Sequence, residues 1–432
     1  MPRNLIVVLL FTTAAFAQTP APDLTPSADD IARAISADAN ANKAQAHSGT
    51  DASAGQGPGS PSASGLMAVM PRSFQSLNPD LALIADFAVA GFNPRGMQML
   101  GGHDPKQNGF NFQLLELALG AAVDPYFRFD SNIVFTPAGV EVEEAYGTTL
   151  ALPGGMQVRA GKFLTRFGRF NPTHPHSWNF SDQPVVLSRF FGGEGNRGIG
   201  LEVSDLLLFL PWYVEVVLSA TDPREPGASV SFADVHDGNP WPAIHGAQDL
   251  EYLGAVKQFF PLSDDVSLSW GLSGVTAPNF ANGRTEIYGT DLYLKYRPVG
   301  QAAPPIIALH VEGLLRRFED DAGKIYVDSG AFAQLLYRFS PRWAAAAGAE
   351  YVTSASGYPV ALAKSATGED LVGETPGVTQ RYKADLSFYP TEFSRLRLQY
   401  DVEPSGATHA RISQGLFLNV EFAIGAHGAH AF

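Results

Sequence analysis

Arg395-Leu396-Arg397-Leu398-Gln399-Tyr400-Asp401-Val402 places a polar side chain at every odd position and an apolar one at every even position. Successive strand side chains point to opposite faces, so this run has one polar and one apolar face. The same pattern recurs upstream. Arg381, Lys383, Asp385 and Ser387 alternate with Tyr382, Ala384, Leu386 and Phe388, and Asp291, Lys295 and Arg297 are set against Leu292, Leu294 and Tyr296. Val266, Leu268, Trp270 and Leu272 alternate with Ser267, Ser269, Gly271 and Ser273. Downstream, Leu416, Leu418, Val420, Phe422 and Ile424 lie opposite Asn419 and Glu421.

A soluble sandwich also alternates, because each of its sheets buries one face. Three features favour a transmembrane antiparallel β-barrel instead. Charged faces oppose aliphatic and aromatic faces over most of the chain from Pro79 onward. Sixteen strands can be placed, near 80–92, 110–123, 125–136, 139–151, 156–164, 198–206, 211–221, 249–260, 264–276, 284–298, 304–317, 324–339, 341–354, 378–389, 393–402 and 409–425. An even number lets both ends of a closed barrel emerge on one side. The connections also alternate in length. Val123 to Pro125, Pro153 to Gly155, Ser204 to Leu210, Pro261 to Asp264, Pro298 to Ala303, Ser340-Pro341 and Pro390 to Glu392 are short, and most are rich in Pro, Asp or Gly. The long connections, 93–109, 165–197, 222–248 and 355–377, fall on the other side. Short inner turns with long outer loops are what such barrels show.

Composition agrees. The 432 residues carry a net charge of −14, which argues against nucleic acid as a partner, since phosphate binding needs clustered Lys and Arg. The chain has no cysteine, so a disulfide framework, a thiolate metal site, a cysteine nucleophile and a lipid-modified N-terminal cysteine are all excluded. Plentiful glycine (43 residues) and aromatics (11%) suit strands and tight turns. The run Leu206 to Leu218 is too short for a membrane helix and is broken by Pro211 and Glu215, so membrane residence would have to come from a barrel.

The first 17 residues read as a secretory signal peptide. Arg3 supplies the positive end, Leu5 to Phe11 the apolar core, and Ala15-Phe16-Ala17 the small-residue cleavage pattern before Gln18. Residues 18–75 are rich in Ala, Ser, Gly, Pro and Asp, which predicts a low-complexity, mostly disordered extension. A weak oligomerising helix over Asp29 to His47, with Ile31, Ala34 and Ile35 on one face, is the alternative there. The barrel itself is expected over 76–432.

The stretch from Tyr126 to Gly168 resembles the phosphate-selective (O and P type) porin superfamily of bacterial outer membranes. The residues that carry the likeness are Phe127-Arg128-Phe129-Asp130, Val140-Glu141-Val142-Glu143-Glu144-Ala145-Tyr146, Val158-Arg159-Ala160-Gly161-Lys162-Phe163 and Arg166-Phe167-Gly168. The resemblance implies a sixteen-strand, trimeric channel in which the Gly-Lys-Phe strand feeds a loop that folds into the lumen. Anion selectivity does not transfer, because it rests on ladders of basic residues and this chain is acidic. The chain is also similar to so-called zinc-regulated outer-membrane proteins, which keeps metal in view. A 22-strand receptor with a plug domain does not fit the length. Outer-membrane barrels commonly end in an aromatic residue read by the barrel-assembly machinery, and the last residue here is Phe432.

The 165–197 connection holds most of the loop charge that chemistry could use: Arg166, Arg169, His174, His176, Asp182, Arg189, Glu194 and Arg197. Folded inward, these charges would constrict the pore and select solutes by sign and size; left outside, they are solvated surface. Arg128, Asp130, Glu141, Glu143 and Arg159 are the nearest inward-facing candidates on strands, with Glu116, Asp291, Lys295, Arg297, Arg395, Arg397, Asp401 and Glu421 completing a polar lining. His174, His176, His427 and His430 are candidate metal ligands, for zinc among others, although a site normally needs three or four ligands. The sequence carries neither a Gly-x-Ser-x-Gly elbow nor a phosphate-binding loop. The expectation is a porin rather than an enzyme, passing small hydrophilic solutes or ions through the outer membrane without a resident cofactor. A metal-linked uptake protein and a closed structural or enzymatic barrel are the alternatives.

Overall fold

The structure, a computed structural model, describes residues 80–93, 97–224, 229–232, 244–300, 305–353, 378–405 and 412–425. The expected leader, the 18–75 extension, His427, His430 and Phe432 lie outside the described residues. Sixteen strands follow in chain order: β1 (Asp80–Phe92), β2 (Gly109–Ala122), β3 (Phe127–Thr136), β4 (Gly139–Thr149), β5 (Gln157–Leu164), β6 (Arg197–Leu206), β7 (Tyr213–Thr221) and β8 (Glu251–Pro261). The second half comprises β9 (Val266–Pro278), β10 (Arg284–Tyr296), β11 (Ile306–Glu319), β12 (Ile325–Ser340), β13 (Trp343–Val352), β14 (Thr379–Thr391), β15 (Ser394–Ser405) and β16 (Ser413–Gly425). Each strand pairs with its chain neighbours, and β16 pairs back antiparallel onto β1, with Asp86 opposite Glu421. The sheet is therefore a closed transmembrane barrel with no free edge, which is what lets strands satisfy their backbone inside a bilayer.

Alternation becomes the difference between inside and outside. On β15, Leu398 and Tyr400 are 47% and 41% exposed on the outer surface, whereas Arg397, Gln399 and Asp401 are buried within. Exposed aromatic side chains, among them Trp212, Tyr213, Phe259, Tyr296, Tyr337 and Trp343, gather near the short-turn end, where amphipathic rings suit a membrane interface. The turn from β4 to β5 contains Gly154 and Gly155, both at positive φ (74° and 83°), a conformation glycine adopts without a Cβ penalty.

One expectation needs correction, and one feature is added. The lining is not polar throughout. Toward the long-loop end of β7 to β13, the side chains of Val217, Leu253, Val275, Ile287, Leu314 and Phe332 point inward and form a hydrophobic core. That core exists because loops dock on it. The 165–197 connection does not turn inward alone. Met97 and Met99 from the 93–109 connection pack beside Phe417, and Phe232 from the 222–248 connection joins the main core. Apolar residues spaced irregularly in a loop carry no periodic signal, so neither feature shows in the pattern of the strands.

Candidate functional site

The segment between β5 and β6 begins and ends in a locked neck. The Asn171 side-chain amide donates to the carbonyls of Thr165 and Asn196, each at 2.8 Å, while Asn196 N–H donates back to Asn171 at 2.7 Å. From there the segment bonds to inward side chains on strands around the ring. Gly168 N–H donates to Ser273 Oγ on β9 at 3.0 Å. Both Arg169 and Phe170 N–H donate to one oxygen of Glu312 on β11, at 2.8 and 2.6 Å. Asn179 donates to Gln334 on β12, and Ser181 N–H to Gln399 on β15. A seven-residue helix, α1 (Val185–Phe191), is wholly buried, and Val185 N–H at its start donates to Glu350 on β13 at 2.7 Å. One segment held by strands on opposite sides of a closed ring runs through its lumen.

Asp182 is the strongest anchor, lying 2.9 Å from Arg381 and 2.7 Å from Lys383 on β14, with none of the three exposed. Burial alone would raise the Asp182 pKa, but Lys383 and Arg381 outweigh it and hold the carboxyl below its ordinary range. Apolar packing completes the dock. Phe167 meets Phe191 edge-on at 4.9 Å, and Phe170 meets Phe332 of β12 at 5.6 Å.

The loop arginines differ sharply in surroundings. Arg166 pairs with Glu202 at 2.8 Å and Glu215 at 2.6 Å, while Arg159 reaches the same Glu202 at 2.7 Å. Arg189 is buried against Gln98 and Thr379, and burial lowers its pKa to about 10. Arg197 pairs with Glu141 and Glu194. Arg169 is exposed, stacks 3.8 Å over the Tyr293 ring and has no ion pair among the described residues. Arg128 and Asp130 pair with each other at 2.7 Å near the turn end of β3, away from this loop.

Of the four expected histidines, His174 and His176 fall within the described residues, and they sit together in a cluster that Glu144 and His103, which were not among the candidates, also join. Strand β4 carries a bulge, a register shift opposite Asn132 and Ile133, and the consecutive side chains of Glu143 and Glu144 are both buried inside. His174 Nε2 lies 2.9 Å from Glu144, and its Nδ1 lies 3.3 Å from Glu143 and 3.7 Å from Glu116 of β2. His176 stacks parallel to His174 at 5.9 Å and contacts Glu116 at 3.2 Å. His103, from the first long connection, reaches Glu143 at 2.8 Å and Glu194 at 3.4 Å. Burial works against charge on His103 and His174, but the surrounding carboxylates prevail and raise both imidazole pKa values well above the ordinary one. Three histidines and four glutamates thus join two loops to two strands. The Glu143-Glu144 doublet, which breaks strict alternation, was the visible sign of Glu144; His103 had no local sign at all.

No protein-family model matches the chain. An uncharacterised protein of Aquifex aeolicus (strain VF5) is 30% identical over 413 residues, covering 85% of this chain and 83% of that protein. Among solved structures, Pseudomonas putida OprB superposes with a TM-score of 0.54 at 11% identity, covering 82% of this chain and 96% of that one. The outer-membrane channel DcaP of Acinetobacter baumannii gives 0.52 at 11% identity, with 80% and 97% covered. The anion-selective porin from Comamonas acidovorans gives 0.51 at 11%, with 80% and 99% covered. At such identities the likeness is one of fold.

Proposed function

We propose that this chain, which belongs to one family with the Aquifex aeolicus protein, is an outer-membrane porin for passive diffusion of small hydrophilic solutes or ions, constricted by the 165–197 loop. The observation that carries this reading is the loop itself. It enters a closed barrel whose outer face is apolar, and its polar groups bond to inward side chains from β9 through β15. A loop so held narrows a pore to a fixed cross-section, and the charges beside the remaining opening set the potential a solute meets. The fold shared with solved porins supports the same reading.

Several finer points belong to this proposal. The Tyr126–Gly168 likeness supports membership of the phosphate-selective (O and P type) superfamily, and with it a trimer. The leader read over residues 1–17 supports export, and Phe432 supports handling by the barrel-assembly machinery. The exposed apolar belt supports residence in outer-membrane lipid.

The test is single-channel conductance of the refolded full chain in a planar bilayer under a salt gradient. Discrete steps are the expected result, and their reversal potential reads the sign preference. Silence from protein that still migrates as a heat-modifiable barrel would overturn the porin reading and favour a lumen closed by its three inward loops.

A further inference from the structure

We propose that the water-filled passage through the barrel follows the wall formed by β3 to β10, and that the loop seals the wall formed by β14, β15, β16 and β1. The inference deepens the porin reading, because it says which inward side chains a solute meets. Two sets of inward residues carry it. On the first wall they keep open surface: the side chains of Arg128 on β3 and Lys257 on β8 are 43% and 20% exposed, and Ser269 on β9 and Lys295 on β10 are half-buried. On the second wall they keep almost none. Asp86 of β1, Ser387 of β14, Arg395 and Arg397 of β15 and Glu421 of β16 are each at most 5% exposed. Both sets face inward, since neighbouring residues such as Phe129, Trp270, Leu386 and Leu396 are exposed on the outer face.

The loop accounts for the difference. Its 176–182 segment lies along the second wall. Arg395 donates to the carbonyls of Trp178 and His176 at 3.0 and 2.9 Å, Gln399 donates to Asp182 at 2.7 Å, and Asp182 pairs with Lys383. Groups so placed exclude water, and charge is matched within the wall, where Arg395 pairs with Glu421. Ser269 and Ser387 make the contrast at equal depth. Each lies four residues toward the short-turn end from a residue that holds the loop, Ser273 through Gly168 N–H and Lys383 through Asp182. Four strand residues span about 13 Å. At that distance Ser269 still keeps open surface, while Ser387 is 4% exposed. Charge selects among solutes where solute and water reach it. Arg128, Lys257 and Lys295 therefore determine selectivity on the short-turn side of the loop, and Arg395, Arg397 and Glu421 brace the loop instead.

The chain has no cysteine, so single thiols report access without a background. Ser269→Cys and Ser387→Cys are made in the full chain, refolded in detergent and treated with a small water-soluble methanethiosulfonate, and attachment is read by mass. Ser269→Cys should react faster by about 10-fold or more, because access as well as thiolate content sets the rate. Unfolded in denaturant, the two should react alike. Ser267→Cys and Ala423→Cys, on the same two walls, serve as a second pair if either of the first does not refold. Equal rates in the folded barrel, or faster reaction of Ser387→Cys, overturn the proposal. Attachment should lower single-channel conductance in Ser269→Cys alone, and a fall in Ser387→Cys overturns the proposal as well. Labelling is read without conductance, so a silent barrel that reacts in Ser269→Cys overturns the porin reading and not the passage.

Discussion

Arg169 is the loop arginine whose charge stands in the lumen without an acidic partner among the described residues. Arg166 and Arg197 each sit between two glutamates, which shortens the reach of their fields. Arg169→Gln alone should therefore move the reversal potential toward cations in a salt gradient while changing stability by less than about 0.5 kcal/mol. An unmoved reversal potential would place Arg169 outside the conducting path. Asp182 acts on stability instead. Asp182→Asn removes the anion shared by Lys383 and Arg381, which keep Glu350 and Glu403 as partners, a loss of about 1–3 kcal/mol for a buried acceptor. Its pKa lies below the unfolded value of about 3.9. The carboxylate thus contributes its full stability above that pH and loses it as pH falls through the lower folded value. The difference in thermal unfolding between the parent and the Asn variant should therefore stay constant from neutrality to about pH 5 and shrink in stronger acid, as parallel melts across pH would show.

Among elements, the strands and the inward loop answer to different physics. A barrel strand is specified by its own two faces, and Leu398 needs only lipid on one side and Arg397 or Gln399 on the other. Helix α1 is too short to be stable alone, so it exists because Val185, Val186, Phe190 and Phe191 find the inward apolar patch of β7 to β13. Phe190→Ala should cost about 3–5 kcal/mol of docking energy, which loosens the loop without opening the sheet. The expected reading is a larger and noisier single-channel conductance from a barrel that still shifts mobility on heating. Unchanged conductance would mean the helix lies clear of the solute path. The bulge on β4 is a smaller case of the same kind: one irregular residue turns two adjacent glutamates inward, and the cluster with His174 depends on it.

For the whole molecule, closure through β1 and β16 makes the barrel self-sufficient in hydrogen bonds, with its first strand starting at Asp80. A chain beginning at Ser76 should therefore refold to the same heat-modifiable barrel with unaltered conductance, as gels and bilayer recordings would show. Failure to refold would assign the 18–75 segment a role in folding. The strands, their number and the sidedness of their connections were all legible in the sequence, with the largest boundary difference at the start of β16, Ser413 rather than 409. Alternation is a local property, written in residues two apart, and a bilayer outside with water inside enforces it on every strand. The loop charges were legible as a set, as were His174 and His176, but their partners were not. Asp182 and Arg381 are 199 positions apart, Gln98 and Glu403 are 305, and His103 and Glu143 are 40. Such pairs meet only after the ring closes and the loops turn inward. The sequence by itself determined a membrane barrel with long loops on one side; the tertiary structure decided which loops fill it, which arginine has no ion pair among the described residues and where three histidines meet four glutamates, because those contacts arise from closure rather than from any local period.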